Sequence, residues 1–109
     1  FTPATYYLKR TPNPVKYLGG TMSIADFDSA VEAVKRLSKR PADDELVELY
    51  GLYKQSTQGD NDSARPGLID FAGKAKWDAW NKLKGTPQHE AQEKYIELAN
   101  SLINRESTS

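Results

Sequence analysis

No cysteine occurs in the 109 residues. Disulfide staples, thiolate nucleophiles and cysteine-based metal sites are thereby excluded together. Histidine is nearly absent too: His89 stands alone, at a place where a helix should begin and among polar neighbours. It reads as a solvated first-turn residue rather than a general base. No Ser-His-Asp arrangement, glycine-rich phosphate loop or His-Glu-x-x-His motif accompanies it, so neither catalysis nor a metal centre is expected. No apolar run approaches the roughly 18 residues of a membrane span. The N-terminus lacks the charged-then-apolar order of a secretory signal. Neither sign of charge is in excess, since 15 Lys and Arg balance 15 Asp and Glu. Residues 1–22 hold Lys9, Arg10 and Lys16 and no acid, which leaves 12 basic against 15 acidic groups over 23–109, a net of −3. Sequence-independent nucleic-acid binding rests on neutralising phosphates. No nucleic-acid partner is therefore expected, and any anion must be held by a local cluster.

What is present suits one small domain with a tail: 38% of residues are hydrophobic, enough for one modest core. Pro3, Pro12 and Pro14 break any helix in residues 1–22, and Gly19-Gly20 reads as a flexible joint. Met22 precedes a helix-start pattern and reads as the native initiator, with 1–22 a leader and 23–109 the domain. A natural extension laid along an apolar groove is the alternative.

Four helical segments follow. The first is expected to start at Ser23 as N-cap with Asp26 three residues on, and Phe27, Ala30, Val31, Val34 and Leu37 form its apolar stripe. The second opens on Asp43, Asp44 and Glu45, which favour the positive end of a helix dipole, and stops near Thr57 to Gly59 with Leu46, Leu49, Tyr50 and Tyr53 inward. Residues 59–70, GDNDSARPGLID, make one long loop of turn formers. Leu68, Ile69 and Phe71 are expected to pin that loop to the core. The third helix covers about Gly73 to Lys84 around Trp77 and Trp80, with Gly85 as its stop. The fourth takes Thr86 as N-cap and Pro87 as first residue, carries Ala91, Tyr95, Leu98, Ala99 and Leu102, and frays at its end. No segment reads as a strand. An all-α bundle follows.

One constellation could carry binding chemistry. Tyr50, Tyr53 and Lys54 stand at i, i+3 and i+4, so one helix presents two phenol rings and an ammonium side by side. Stacking faces beside a point charge suit a ligand that is flat at one end and phosphorylated nearby. The same pattern also fits a half-buried, half-solvated face. Lys74 and Lys76 flank Trp77 but point about 200° apart, so only one can face a shared pocket. The tryptophans are assigned to packing. Tyr95 suits either core or groove.

The chain closely resembles the acyl-CoA-binding protein family, also called diazepam-binding inhibitor. The motifs that carry the likeness are FDSAVEAVKRL at 27–37, RPADDELVELYGLYKQSTQGD at 40–60, RPG at 65–67 and KAKWDAWNKLKGT at 74–86, continuing through the Tyr95 helix. They cover essentially all of 23–109 and nothing before it. The resemblance implies an up-down-down-up four-helix bundle that binds medium- and long-chain acyl-CoA without chemistry or cofactor. It further implies a cytoplasmic monomer in transient contact with acyl-CoA-using enzymes and membranes. By the same resemblance Tyr50 and Tyr53 hold the adenine and ribose-phosphate end, and Lys54 and Lys76 grip the 3′-phosphate. Lys35 lies along the adenine pocket near Val31, Tyr95 touches the middle of the ligand, and Leu46 and Val47 with Pro41 border the acyl chain. Phe27, Val34, Leu37, Trp77, Leu98 and Leu102 stay structural. Two positions depart from the family pattern: Ala72 stands where many members carry lysine, and Val31 replaces a smaller alanine.

Overall fold

The computed structural model describes residues 15–18 and 21–108. Two short strands, β1 (Val15–Leu18) and β2 (Thr21–Ile24), precede four helices, α1 (Phe27–Lys35), α2 (Asp43–Gln58), α3 (Phe71–Asn81) and α4 (Gln88–Thr108). The expected four helices are present, and α2 packs against both α3 and α4 while α1 lies on α4. The core gathers Ile24, Ala30, Leu49, Leu52, Ala99 and Leu102, with Tyr95 and Ile103 beside them.

The hairpin corrects the expectation of no strands. β1 and β2 pair antiparallel, Val15 opposite Ile24 and Leu18 opposite Thr21. Residues of strand type around a Gly-Gly pair are the sequence form of a tight hairpin. The joint expected at Gly19-Gly20 itself lies outside the described residues. Because β2 runs through the boundary drawn between 22 and 23, Ser23 is a strand residue and does not cap α1. Asp26 does: its Oδ1 accepts the Ser29 N–H at 2.8 Å. Ile24 is clasped at both backbone groups by one side chain. Its N–H donates to Asn100 Oδ1 at 2.7 Å, and Asn100 Nδ2 donates to its carbonyl at 3.1 Å. This single amide does what a neighbouring strand would otherwise do for a buried edge.

Helix α2 starts where its acidic triplet indicated, with Glu45 Oε1 accepting the Ala42 N–H at 2.9 Å. Arg105 of α4 grips the same carboxylate with both terminal guanidinium nitrogens, at 2.8 and 3.0 Å. Gly59 ends α2 at φ 82°, a left-handed conformation that glycine adopts without strain. Helix α3 begins two residues earlier than expected, at Phe71, because Asp70 accepts the Gly73 N–H at 2.9 Å and caps it. It ends at Asn81, and tight turns carry the chain to Gly85 at φ 88°. Helix α4 is entered at Pro87, whose carbonyl accepts the Ala91 N–H at 3.0 Å.

The long loop is pinned, but not by its apolar residues. Leu68, Ile69 and Phe71 are 79%, 91% and 75% exposed, which overturns the expected role. Polar anchors take their place. Trp80 Nε1 donates to the Gly59 carbonyl at 2.8 Å, and Trp77 Nε1 to the Ser63 carbonyl at 3.1 Å. Arg65 forms a two-pronged pair with Asp78 at 3.0 and 2.9 Å. Gln55 Nε2 donates to Asp60 at 3.0 Å and to the Thr86 carbonyl at 2.8 Å. Hydrogen bonds to Arg105, Gly85 and Arg65 respectively are the main reason that Glu45, Asp60 and Asp78 sit below their ordinary carboxylate values. Their contribution to stability is full above those ordinary values and fades as pH falls through the lowered ones.

Helices α2 and α3 meet closely at Gly51. A Cβ built there would lie 2.7 Å from the Ala79 carbonyl oxygen and 2.8 Å from its carbon, both rigid backbone atoms. Gly51→Ala is therefore expected to push α3 away. Overpacking of this kind costs about 1–3 kcal/mol; urea unfolding monitored by circular dichroism measures it. A variant as stable as the parent would show that the two helices do not touch at this position.

Candidate functional site

Between α1, α2 and α3 lies an open cleft of about 890 Å³. Tyr50, Tyr53, Leu46, Val47 and Leu49 of α2 form one wall, and Phe71, Ala72, Ala75 and Lys76 of α3 the opposite one. Val31, Val34 and Lys35 come from α1, Tyr95 from α4, and Arg40 and Asp43 close one end. The helical spacing of α2 explains its contribution. Leu46, Tyr50 and Tyr53 follow at i, i+4 and i+7, and Val47 stands beside Leu46 on the same side.

Of the residues expected to form a site, Tyr50, Tyr53, Lys76, Tyr95, Lys35, Val31, Leu46 and Val47 all line this cleft. Lys54 does not line it but stands at its edge. Its ammonium lies 4.9 Å from the centroid of the Trp80 ring and 6.0 Å from that of Tyr50. Lys76, from the facing helix, places its ammonium 5.5 Å from the same Tyr50 ring. Two cations from two helices thus share one phenol. Among the described residues, no carboxylate comes within ion-pair distance of either ammonium. Aromatic faces hold these charges by quadrupole attraction, which leaves all the ammonium hydrogens free to meet an anion. Lys35 differs: it is exposed and its Nζ lies 3.3 Å from Glu32 Oε2, a pair of little energetic weight at a surface. Pro41 is not brought to the cleft. It is buried on another side, by Leu102 and Arg105, because the turn carrying it packs on the end of α4.

Below Tyr50 the aromatic residues form a cluster. Phe27 and Tyr53 stack at 6.1 Å with 23° between planes, Phe27 meets Tyr95 edge-on at 5.2 Å, and Tyr53 and Tyr95 are 6.5 Å apart. Phe27 backs the two tyrosines without lining the cleft itself. Tyr95 is 4% exposed. Burial, and then the charge of a neighbouring Tyr53 phenolate, push its phenol up from 10.0 to about 12. Periodicity missed Arg40, Ala72, Ala75 and the cleft side of Phe71. The α3 residues could have been found from the i, i+1, i+4, i+5 spacing of Phe71, Ala72, Ala75 and Lys76 on one helical face. His89 is exposed in the first turn of α4. Among the described residues no group of three His, Cys, Asp or Glu side chains could hold a metal ion, and no helix is long and apolar enough to cross a membrane.

Helices packed around a cleft with an apolar lining and a cationic aromatic edge define a small helical binding protein. The chain belongs to the acyl-CoA-binding protein family. The family model described as acyl CoA binding protein matches residues 24–99. An acyl-CoA-binding protein homolog of Drosophila melanogaster is 54% identical over 77 residues, which make up 71% of this chain and 90% of that one. Solved structures agree. Acyl-CoA-Binding Protein 2 of Oryza sativa superposes with a TM-score of 0.72 at 35% identity, over 76% of this chain and 92% of that chain. The yeast acyl coenzyme A binding protein gives 0.61 at 46% identity, over 72% and 92%.

The Tyr95 phenol supplies a measurable signature. Its folded pKa lies above its unfolded value, so its contribution to stability is complete below pH 10.0 and is lost as pH rises towards about 12. Tyr95→Phe is expected to remove the last phenolate to appear in an ultraviolet titration and to flatten the stability loss over that alkaline window. A variant titrating like the parent would show that Tyr95 is not the buried phenol.

Proposed function

We propose that the protein binds, buffers and carries acyl-CoA thioesters of medium and long chain without altering them. The observation that carries this reading is the Tyr50 ring flanked by the free ammoniums of Lys54 and Lys76, set at the edge of an apolar cleft. Coenzyme A is a polyanion with a flat purine, and its acyl derivative adds a hydrocarbon tail. The cleft offers a partner for each part.

In this reading the adenine and ribose-phosphate end lies on Tyr50 and Tyr53, next to Val31 and the aliphatic stem of Lys35. Lys54 and Lys76 take the 3′-phosphate. Each charge-assisted contact contributes roughly 1.5–3 kcal/mol. Tyr95, at the floor of the cleft, meets the middle of the ligand. Leu46 and Val47 border the acyl chain, whose burial adds about 0.8 kcal/mol per methylene. Hiding the tail and the thioester from water is the whole of the function. Residues 23–109 constitute the binding domain, acting as a monomer in the cytoplasm and handing its cargo to acyl-CoA-using enzymes and to membranes. A protein with 15 charges of each sign does this through one local cluster, which spares it the indiscriminate attraction of a basic surface for nucleic acids.

Calorimetric titration with palmitoyl-CoA, CoA and palmitate tests the reading. Tight binding of the thioester and weak binding of either half is expected. Lys54→Ala should weaken palmitoyl-CoA and free CoA alike, by about tenfold or more, the equivalent of one lost charge-assisted contact. Equal affinity of parent and variant would remove Lys54 from the phosphate site. No binding of the thioester by the parent would end the carrier reading altogether.

A further inference from the structure

The three most exposed large apolar side chains among the described residues stand together. Leu68, Ile69 and Phe71 are 79%, 91% and 75% exposed, at the tip where the long loop enters α3. Solvated apolar residues are ordinary when scattered; three clustered on one protruding turn call for a partner. Their exposure does not come from a slack loop. Arg65–Asp78 and Trp77–Ser63 fasten the strand of loop just before them. Asp70 caps α3 from between them. The tip is therefore held out rather than left over.

Two further features say what it meets. From Arg65 to Asp78 three cations, Arg65, Lys74 and Lys76, outnumber two acids, Asp70 and Asp78, and Lys74 holds its ammonium 5.2 Å from the Phe71 ring without a carboxylate in ion-pair range. Of the two acids, Asp78 is paired with Arg65, and Asp70 accepts the Gly73 N–H as the cap of α3 while keeping its charge. The tip is also continuous with the cleft, since Phe71 belongs to both. We propose that Leu68, Ile69 and Phe71 dip into the surface of an anionic lipid bilayer while Lys74 meets its headgroups, so that the open cleft faces the membrane at the point of contact. A convex tip of three side chains with a cationic collar matches the interfacial pattern of apolar wedge plus snorkelling lysine. The purpose rests on the acyl-CoA reading: a chain drawn from the bilayer would pass along Phe71 into the cleft without crossing bulk water.

Co-sedimentation of the ligand-free protein with phosphatidylcholine vesicles, with and without phosphatidylserine, tests the docking apart from that reading. Association with the phosphatidylserine vesicles is expected, and it should drop about tenfold or more in Leu68→Ser/Ile69→Ser, whose changes lie outside the cleft. Lys74→Glu should weaken association with the anionic vesicles only. Circular dichroism and palmitoyl-CoA calorimetry on the same variants should match the parent. No association by the parent, or equal association by the double variant, overturns the proposal; a protein partner for the tip would give this outcome. A double variant that folds but loses palmitoyl-CoA in solution overturns it as well, by moving the tip into the ligand site. Failure of the parent to bind palmitoyl-CoA would remove the cargo while leaving the docking result standing.

Discussion

The approach of α2 to α3 at Gly51 governs what this molecule can hold. Absence of a side chain there lets the two helices touch backbone to backbone beside Ala79. Lys54 stands three residues beyond that contact on α2, and Lys76 three residues before Ala79 on α3. Because the helices touch between them, both ammoniums fall within reach of the Tyr50 ring. A wider spacing would leave two solvated lysines and a tyrosine with no common purpose. The Trp80–Gly59 and Gln55–Thr86 hydrogen bonds hold the same pair of helices and their connections at that spacing.

Charge at this edge is stored in an unusual form. A lysine paired with a carboxylate must break that pair before it can receive a phosphate, whereas a lysine resting on a ring gives up little. Four acids of this chain are occupied elsewhere: Glu45 by Arg105, Asp78 by Arg65, Asp60 by the Gly85 N–H and Glu106 by the Ser38 and Lys39 N–H groups. A protein with no net charge thereby keeps a small region of positive potential. It does so by resting Lys54 and Lys76 on aromatic rings, not by excess of lysine.

The helices were legible because their apolar residues recur with a 3.6-residue period and their starts are acidic. Tyr50, Tyr53 and Lys54 were legible as a group because one helix carries them. The meeting of Lys76 with Tyr50 was not, since only tertiary packing brings α3 to that ring; motif resemblance supplied it instead. Leu68, Ile69 and Phe71 misled because apolar residues in a loop suggest burial, while exposure of apolar atoms breaks no physical rule. The loop's actual fastenings, indole N–H groups and an Arg65–Asp78 fork, join residues 13 to 21 positions apart and have no local signature. Ser23 read as the cap with Asp26 three residues on, and the pairing of β2 with β1 makes Ser23 a strand residue and leaves the capping to Asp26.

The Asn100 clasp on Ile24 ties residues 76 apart in sequence. Closing so long a stretch costs chain entropy that nothing local repays. The entry strand therefore has this hold only while α4 is in position. A cut or a truncation in the later turns of α4 would accordingly be felt at the opposite terminus of the domain, where Ile24 would lose its seat while α2 and α3 still embraced.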